Sequence, residues 1–185
     1  MNSLRPADGV RMLALAALYI LSARIGLTLD AVGGFATVVW APTGIALAAV
    51  LLYGNRLVPG VLVGAIVANK LTGATLTAAI GIGVGNTLEA VVGAWGLRRL
   101  EQFRTEIDRL PDAVALLLAA IAAPLVSASI GVATLYGTGI VAAATAGETW
   151  RAWWVGDCIG ALLVAPLILI WRKLPVRRAG FLWFE

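Results

Sequence analysis

Residues 113–136 read AVALLLAAIAAPLVSASIGVATLY, 24 positions without a charge. A membrane β-strand alternates apolar and polar side chains over about ten residues, whereas Ala113–Val126 is apolar on every face. Backbone donors and acceptors inside hydrocarbon must be satisfied within the segment itself, so the run reads as a helix. It is also long enough, because about 20 residues cross about 30 Å of hydrocarbon. Working outward, five more apolar segments follow the same logic: about Val10–Leu29, Ala36–Tyr53, Val58–Leu71, Ala74–Leu97 and Thr149–Trp171. Each is read as a span, although the third is short and carries Asn69 and Lys70 at its end. Its Gly60, Gly64 and Ala68 predict tight packing against neighbouring helices. The expected fold is all-α: a polytopic integral membrane bundle of about six transmembrane helices.

Composition agrees. Of 185 residues, 61% are hydrophobic and 13% charged, against about 25% charged in soluble domains. A soluble globule of this size could not hide that much apolar surface. Arg5 and Arg11 before Met12–Leu21 imitate a signal peptide, but further apolar segments follow where a polar mature domain should be. With the N-terminus in the cytoplasm, Arg5, Arg11, Arg56, Arg98, Arg99, Arg104, Arg109, Arg172, Lys173, Arg177 and Arg178 lie inside, 11 of the 14 basic residues. That bias predicts both termini in the cytoplasm. It also accounts for the pI near 9.8 without a nucleic-acid partner. The 98–112 segment becomes the main cytoplasmic loop, expected as a short amphipathic helix bounded by Pro111. The absence of histidine removes His-ligated haem, most zinc sites, Ser-His-Asp triads and a histidine phosphoacceptor. The single Cys158 reads as a small buried hydrophobe.

Polar residues at membrane depth carry the functional signal, since an ionisable group at a helix centre costs at least about 2.5–3.5 kcal/mol. Five stand out: Arg24, Asn69, Asn86, Glu89 and Asp157. Asn86 and Glu89, three apart, share a helical face. Gly81, Gly85, Glu89 and Gly93 form a stripe that admits another helix close to the carboxyl group. One reading places Arg24, Glu89 and Asp157 around a polar interior pocket. In the alternatives, Arg24 pairs with one carboxylate and only fixes helix register, or snorkels to the interface.

Two aromatic motifs open helices on the outer side. In WAPTG (Trp40–Gly44), Pro42 suits a first helical turn. WRAWWVGD (Trp150–Asp157) places three tryptophans ahead of an acid. Both are compatible with an interfacial aromatic belt. The sharper expectation is that Trp40, Trp150, Trp153 and Trp154 form one aromatic wall beside Asp157. GIGVGNTLE (Gly81–Glu89) has glycines at dinucleotide-fold spacing but lies inside an apolar helix without a preceding strand, so that motif is rejected. No phosphate loop, metal cluster or nucleophile–base pair appears, and no enzymatic activity or cofactor is expected.

Taken in order, these motifs resemble MASE1, the bacterial membrane-associated sensor domain. The matching residues are Trp40–Ala48, Gly54-Asn55-Arg56, Pro59-Gly60, Gly64-Ala65, Gly85–Ala90, Trp150, Trp153–Asp157, Gly160 and Pro166. The resemblance implies an input module in the bacterial inner membrane. In that family such modules precede histidine kinase, diguanylate cyclase or phosphodiesterase domains, and so serve two-component or cyclic-di-GMP signalling. It implies residues 1–172 as the sensor domain and 173–185 as a cytoplasmic juxtamembrane tail. Family members usually continue with further transmembrane helices, and no output domain follows here, so the chain is expected either as an isolated portion of a longer receptor or as a stand-alone module working through a partner.

The combined expectation is a sensor that binds a small ligand through Trp40, Asn86, Glu89, Trp154 and Asp157, with Arg24 as counter-charge, and signals through its last helix. Expected partners are the lipid bilayer, a small-molecule ligand and a cytoplasmic output domain or protein; a GxxxG-mediated homodimer is left open. The rival reading is a transport component, such as the substrate-capturing subunit of a vitamin importer, which has similar size and helix number.

Overall fold

The computed structural model describes residues 6–29 and 37–172. Arg5, Ala36 and the expected tail 173–185, with Lys173, Arg177 and Arg178, lie outside them. The described residues form seven α-helices: α1 Pro6–Leu29, α2 Ala41–Tyr53, α3 Val58–Leu71, α4 Leu76–Arg99, α5 Leu110–Ala122, α6 Pro124–Gly137 and α7 Ala143–Trp171, with a 3-10 turn at Asn55–Leu57 between α2 and α3. No strand occurs among them. Four stretches are long and apolar enough to cross a membrane: Pro6–Thr28, Leu76–Arg99, Leu110–Gly137 and Ala143–Trp171.

The run quoted first is one span in two limbs, α5 and α6. Ala123 between them keeps helical dihedrals (φ −65°, ψ −40°). Pro124 has no N–H to donate, and its ring crowds the preceding turn, so the ladder breaks there. Val126 donates instead to Ala123, three residues back, at 3.0 Å.

The second segment departs from its expected start near residue 36. Helix α2 begins only at Ala41, because Trp40 is non-helical (φ −99°, ψ 82°) and gives its N–H to the Gly156 carbonyl of α7 at 2.9 Å. At 1.5 Å per residue, the 13 residues of α2 reach about 20 Å, and the 14 of α3 about 21 Å. Both fall short of about 30 Å, so neither is long enough to cross as a regular helix by itself, and four candidate spans stand where six were expected. Non-helical backbone at membrane depth survives only when protein covers it. Here α7 covers it.

Small residues set the helix contacts, as expected from sequence. A Cβ on Gly60 would stand 2.7 Å from the Met12 carbonyl oxygen of α1, and one on Gly64 would stand 2.9 Å from Tyr19 Cβ. On α4, Gly81 lies under Thr134 and Gly85 under Ile130, so α6 packs along the predicted stripe. The tightest seam joins α2 to α7: a Cβ on Gly44 would meet Val164 Cβ at 2.7 Å and Ala165 N at 2.8 Å. Apolar side chains such as Leu13, Val63, Leu118 and Leu163 face outward, while Asp157, Glu89 and Ser127 are buried. That inversion of the soluble pattern is what a lipid solvent selects.

The 98–112 loop is not the expected amphipathic helix. Helix α4 runs on to Arg99, and residues 100–109 form successive turns. Phe103 and Ile107 pack inward against the core. The buried Asp112 carboxylate accepts the Arg104 N–H at 3.0 Å and the Arg109 guanidinium at 2.9 and 3.0 Å. Ile107 adopts φ 51°, a left-handed conformation no α-helix accommodates.

Candidate functional site

Asp157 is the central residue of α7, with 14 residues on either side, or about 21 Å of helix each way. Its side chain is fully buried. Thr43 in the first turn of α2 donates its hydroxyl to Oδ1 at 3.0 Å, and Ser127 in the first turn of α6 donates to Oδ2 at 2.7 Å. Both hydroxyls are in place because a helix starts there. Trp40 stops the backbone from being helical before α2, and Pro124 breaks the span before α6. The partial positive charge at a helix N-terminus then favours a negative group beside α2.

Glu89 of α4 is 2% exposed, and neither of its oxygens has a hydrogen-bond partner. The groups that act on it are Asp157, Ser127 and Thr43. One turn earlier on the same face, Asn86 donates to the hydroxyl of Tyr19 in α1 at 2.8 Å, while its Oδ1 is unpartnered. The Trp40 indole N–H, also buried without a partner, lies beside Tyr19. Polar groups from α1, α2, α4, α6 and α7 therefore converge at mid-bundle. Buried polar atoms are hydrogen-bonded in the great majority of cases, and four in this cluster, the Trp40 indole nitrogen, Asn86 Oδ1 and both Glu89 oxygens, are exceptions.

The space here is small. A cavity lined by Thr43, Leu47, Glu89, Ala120, Pro124 and Ala161 measures about 10 Å³. Larger cavities of about 420 Å³ and about 310 Å³ lie elsewhere, the first beside Phe103 and Leu118, the second between α1, α2 and α7 at Leu15, Ile45 and Ile168. Neither touches Glu89 or Asp157.

Of the six residues expected at the site, the structure gathers Asn86, Glu89 and Asp157 directly, and Trp40 through Tyr19. Arg24 and Trp154 stand apart. Arg24 is exposed on α1 and donates to the Leu71 carbonyl at 3.4 Å. Among the described residues no ion pair joins it to either carboxyl group. It cannot serve as their counter-charge in this arrangement. Trp154 turns toward the broken span, giving its indole N–H to the Ile121 carbonyl at 2.9 Å and stacking on Trp150 at 6.0 Å. Trp153 is the tryptophan that acts on Asp157. It is buried under α6, where a Cβ on Gly131 would stand 2.7 Å from its ring. The expected single wall of four tryptophans thus divides between separate contacts. Sequence reading did not single out Tyr19, Thr43 and Ser127. Only Ser127 carried a usable signal, a hydroxyl three residues beyond a mid-span proline.

Comparison with protein-family models matches MASE1 over residues 11–185, nearly the whole chain. Comparison with curated proteins and with solved structures returns no match.

Proposed function

This chain belongs to the MASE1 family of membrane-associated sensor domains, and on that premise we propose that it senses a small ligand at the Glu89–Asp157 cluster and passes the signal along α7. The observation that carries the reading is the placement of Asp157 at the centre of α7. It faces Glu89 of α4 and is held by α2 and α6. A change in what this cluster holds alters the contacts of four helices at once, one of which continues to the far end of the bundle.

The mechanism is a shift between two arrangements of α7, driven by whatever ligand binds one better than the other. The small cavity describes the closed arrangement. In this proposal the protein is a multi-pass component of a bacterial inner membrane with both termini in the cytoplasm, as the basic loops suggest. Its output is a cytoplasmic kinase or cyclic-di-GMP domain, attached or recruited. The test fuses the chain to such an output domain and compares Glu89→Gln and Asp157→Asn with the parent. Altered basal or stimulated output is expected. Unchanged signalling in both variants, with normal membrane levels, overturns the proposal.

A further inference from the structure

A groove of about 310 Å³ runs between α1, α2 and α7 at the end of the bundle where α1 begins and α2 and α7 stop. That volume lies in the range of about 300–1,000 Å³ usual for ligand pockets. Leu15, Ile45, Ala49 and Leu57 are buried along its floor, and Ala14 and Leu18 of α1 stand exposed on its open side. At membrane depth such a surface meets lipid chains, which are as apolar as leucine. The rim is different in kind. Arg11 in the second turn of α1 and Arg172 just past α7 line the same groove, and both are exposed. Among the described residues no ion pair engages Arg172. Arg11 shares Asp8 with Arg56 at 3.6 Å each, longer than the about 2.7–2.9 Å of a charge-assisted hydrogen bond. It also lies over the Tyr53 ring, 5.1 Å from the centroid. With Arg56, the rim and its neighbours carry three guanidinium groups against the one carboxylate of Asp8.

A positive rim beside an apolar groove matches an amphiphile with a negative head. Arginine presents a planar fork of donors that fits phosphate, and basic residues at a membrane surface attract anionic lipid. We propose that this groove is a binding site for one anionic phospholipid, with an acyl chain lying along α1 between Leu15, Leu18 and Ile45 and the phosphate held by Arg11 and Arg172. The chain's own residues 173–185 are the alternative occupant, since they follow Arg172 directly and include Phe181, Leu182, Trp183 and Phe184. Their charge argues against them. Lys173, Arg177 and Arg178 outweigh Glu185, so the segment has the same sign as the rim. A lipid bound here joins the start of α1 to the end of α7. The groove shares no residue with the Glu89–Asp157 cluster, so the two assignments stand or fall separately.

The test uses the purified full chain, washed free of lipid in detergent, with thermal unfolding followed by a thiol-reactive dye at Cys158, which is buried. Phosphatidylglycerol is titrated beside phosphatidylcholine of the same acyl chains and beside inorganic phosphate. Phosphatidylglycerol is expected to raise the melting temperature saturably, since a ligand bound to the folded state stabilises it; the other two are not. Arg172→Gln is expected to melt with the parent in detergent alone. It should need about fivefold more phosphatidylglycerol for half its effect, and with Arg11→Gln added about 25-fold more, the scale set by one basic residue at an anionic surface. Ala14→Trp keeps both arginines, fills the groove and is expected to abolish the response. Equal responses to the two lipids, or a response to inorganic phosphate matching that to phosphatidylglycerol, overturns the assignment. A full phosphatidylglycerol response in Ala14→Trp or in the double arginine variant does the same. So does the absence of any phosphatidylglycerol response; in that case, lower melting of the Phe181→Ser, Phe184→Ser double variant in detergent alone assigns the groove to residues 173–185.

Discussion

Replacing Gly160 with alanine tests the α2–α7 seam where its geometry is least forgiving. The added methyl would stand 2.5 Å from the Trp40 carbonyl carbon and 3.3 Å from Ala41 N, whereas carbon atoms rest at about 3.5–4.0 Å. Backbone cannot rotate aside as a side chain can, so the start of α2 must withdraw from α7 by about 1 Å. Overpacking of this kind costs about 1–3 kcal/mol. The withdrawal also strains the 2.9 Å bond from Trp40 N–H to Gly156, worth about 1 kcal/mol. At about 2–4 °C per kcal/mol for a chain of this length, a total of about 2–4 kcal/mol lowers the melting temperature by about 4–16 °C. The assay is thermal unfolding in detergent reported by Cys158, with Gly147→Ala as control. Gly147 has nothing within 4 Å of an added Cβ, so its replacement should gain about 0.5–1 kcal/mol of helix stability. If Gly160→Ala melts with the parent while Gly147→Ala shifts as expected, the backbone seam is not what holds α2 in place.

Tyr19→Phe removes the acceptor of the Asn86 amide and should cost about 1–3 kcal/mol, most of it recovered when Asn86→Leu is added, because an unsatisfied donor is dearer than a missing pair. A double-mutant cycle in melting temperature reads this, and additive losses would refute it. Asp112→Ala releases the Arg104 N–H and the Arg109 guanidinium, so trypsin should cleave after Arg104 and Arg109 faster than in the parent; matching digestion time courses would show that the carboxylate does not hold the loop. Reporter fusions at each end should show fluorescent-protein signal and no periplasmic phosphatase activity. Phosphatase activity at either end would refute the cytoplasmic assignment of that terminus.

Legibility in the sequence followed the length scale of the signal. Apolar runs of 20 residues or more placed α1, α4, α7 and the α5–α6 span, because lipid imposes one rule on every residue of such a run. The same rule overextended α2. What shortens that helix is a hydrogen bond between Trp40 and Gly156, more than a hundred residues apart, which no local pattern announces. Glu89 and Asp157 were legible because charge is rare at that depth. Thr43 and Ser127 were not, since hydroxyls in apolar helices commonly bond the preceding turn, as Thr87 does to Gly83 and Thr134 to Ile130. Trp153 and Trp154 point about 100° apart on one helix, and only the packing of α7 against Gly131 decides which of them reaches Asp157. The loop misled in the other direction: its mixed charges suit an amphipathic helix, but two of its apolar residues and Asp112 have inward partners.

The shortness of α2 bears on how the chain is built in the cell. A segment of 13 helical residues preceded by open backbone is too short to enter a bilayer on its own merits. It depends on cover from α7, which leaves the ribosome more than a hundred residues later. During synthesis α2 therefore lacks this cover until α7 emerges. The most intimate pairing in the bundle then forms only after α7 has been made, and chains interrupted before residue 143 are left with α2 uncovered.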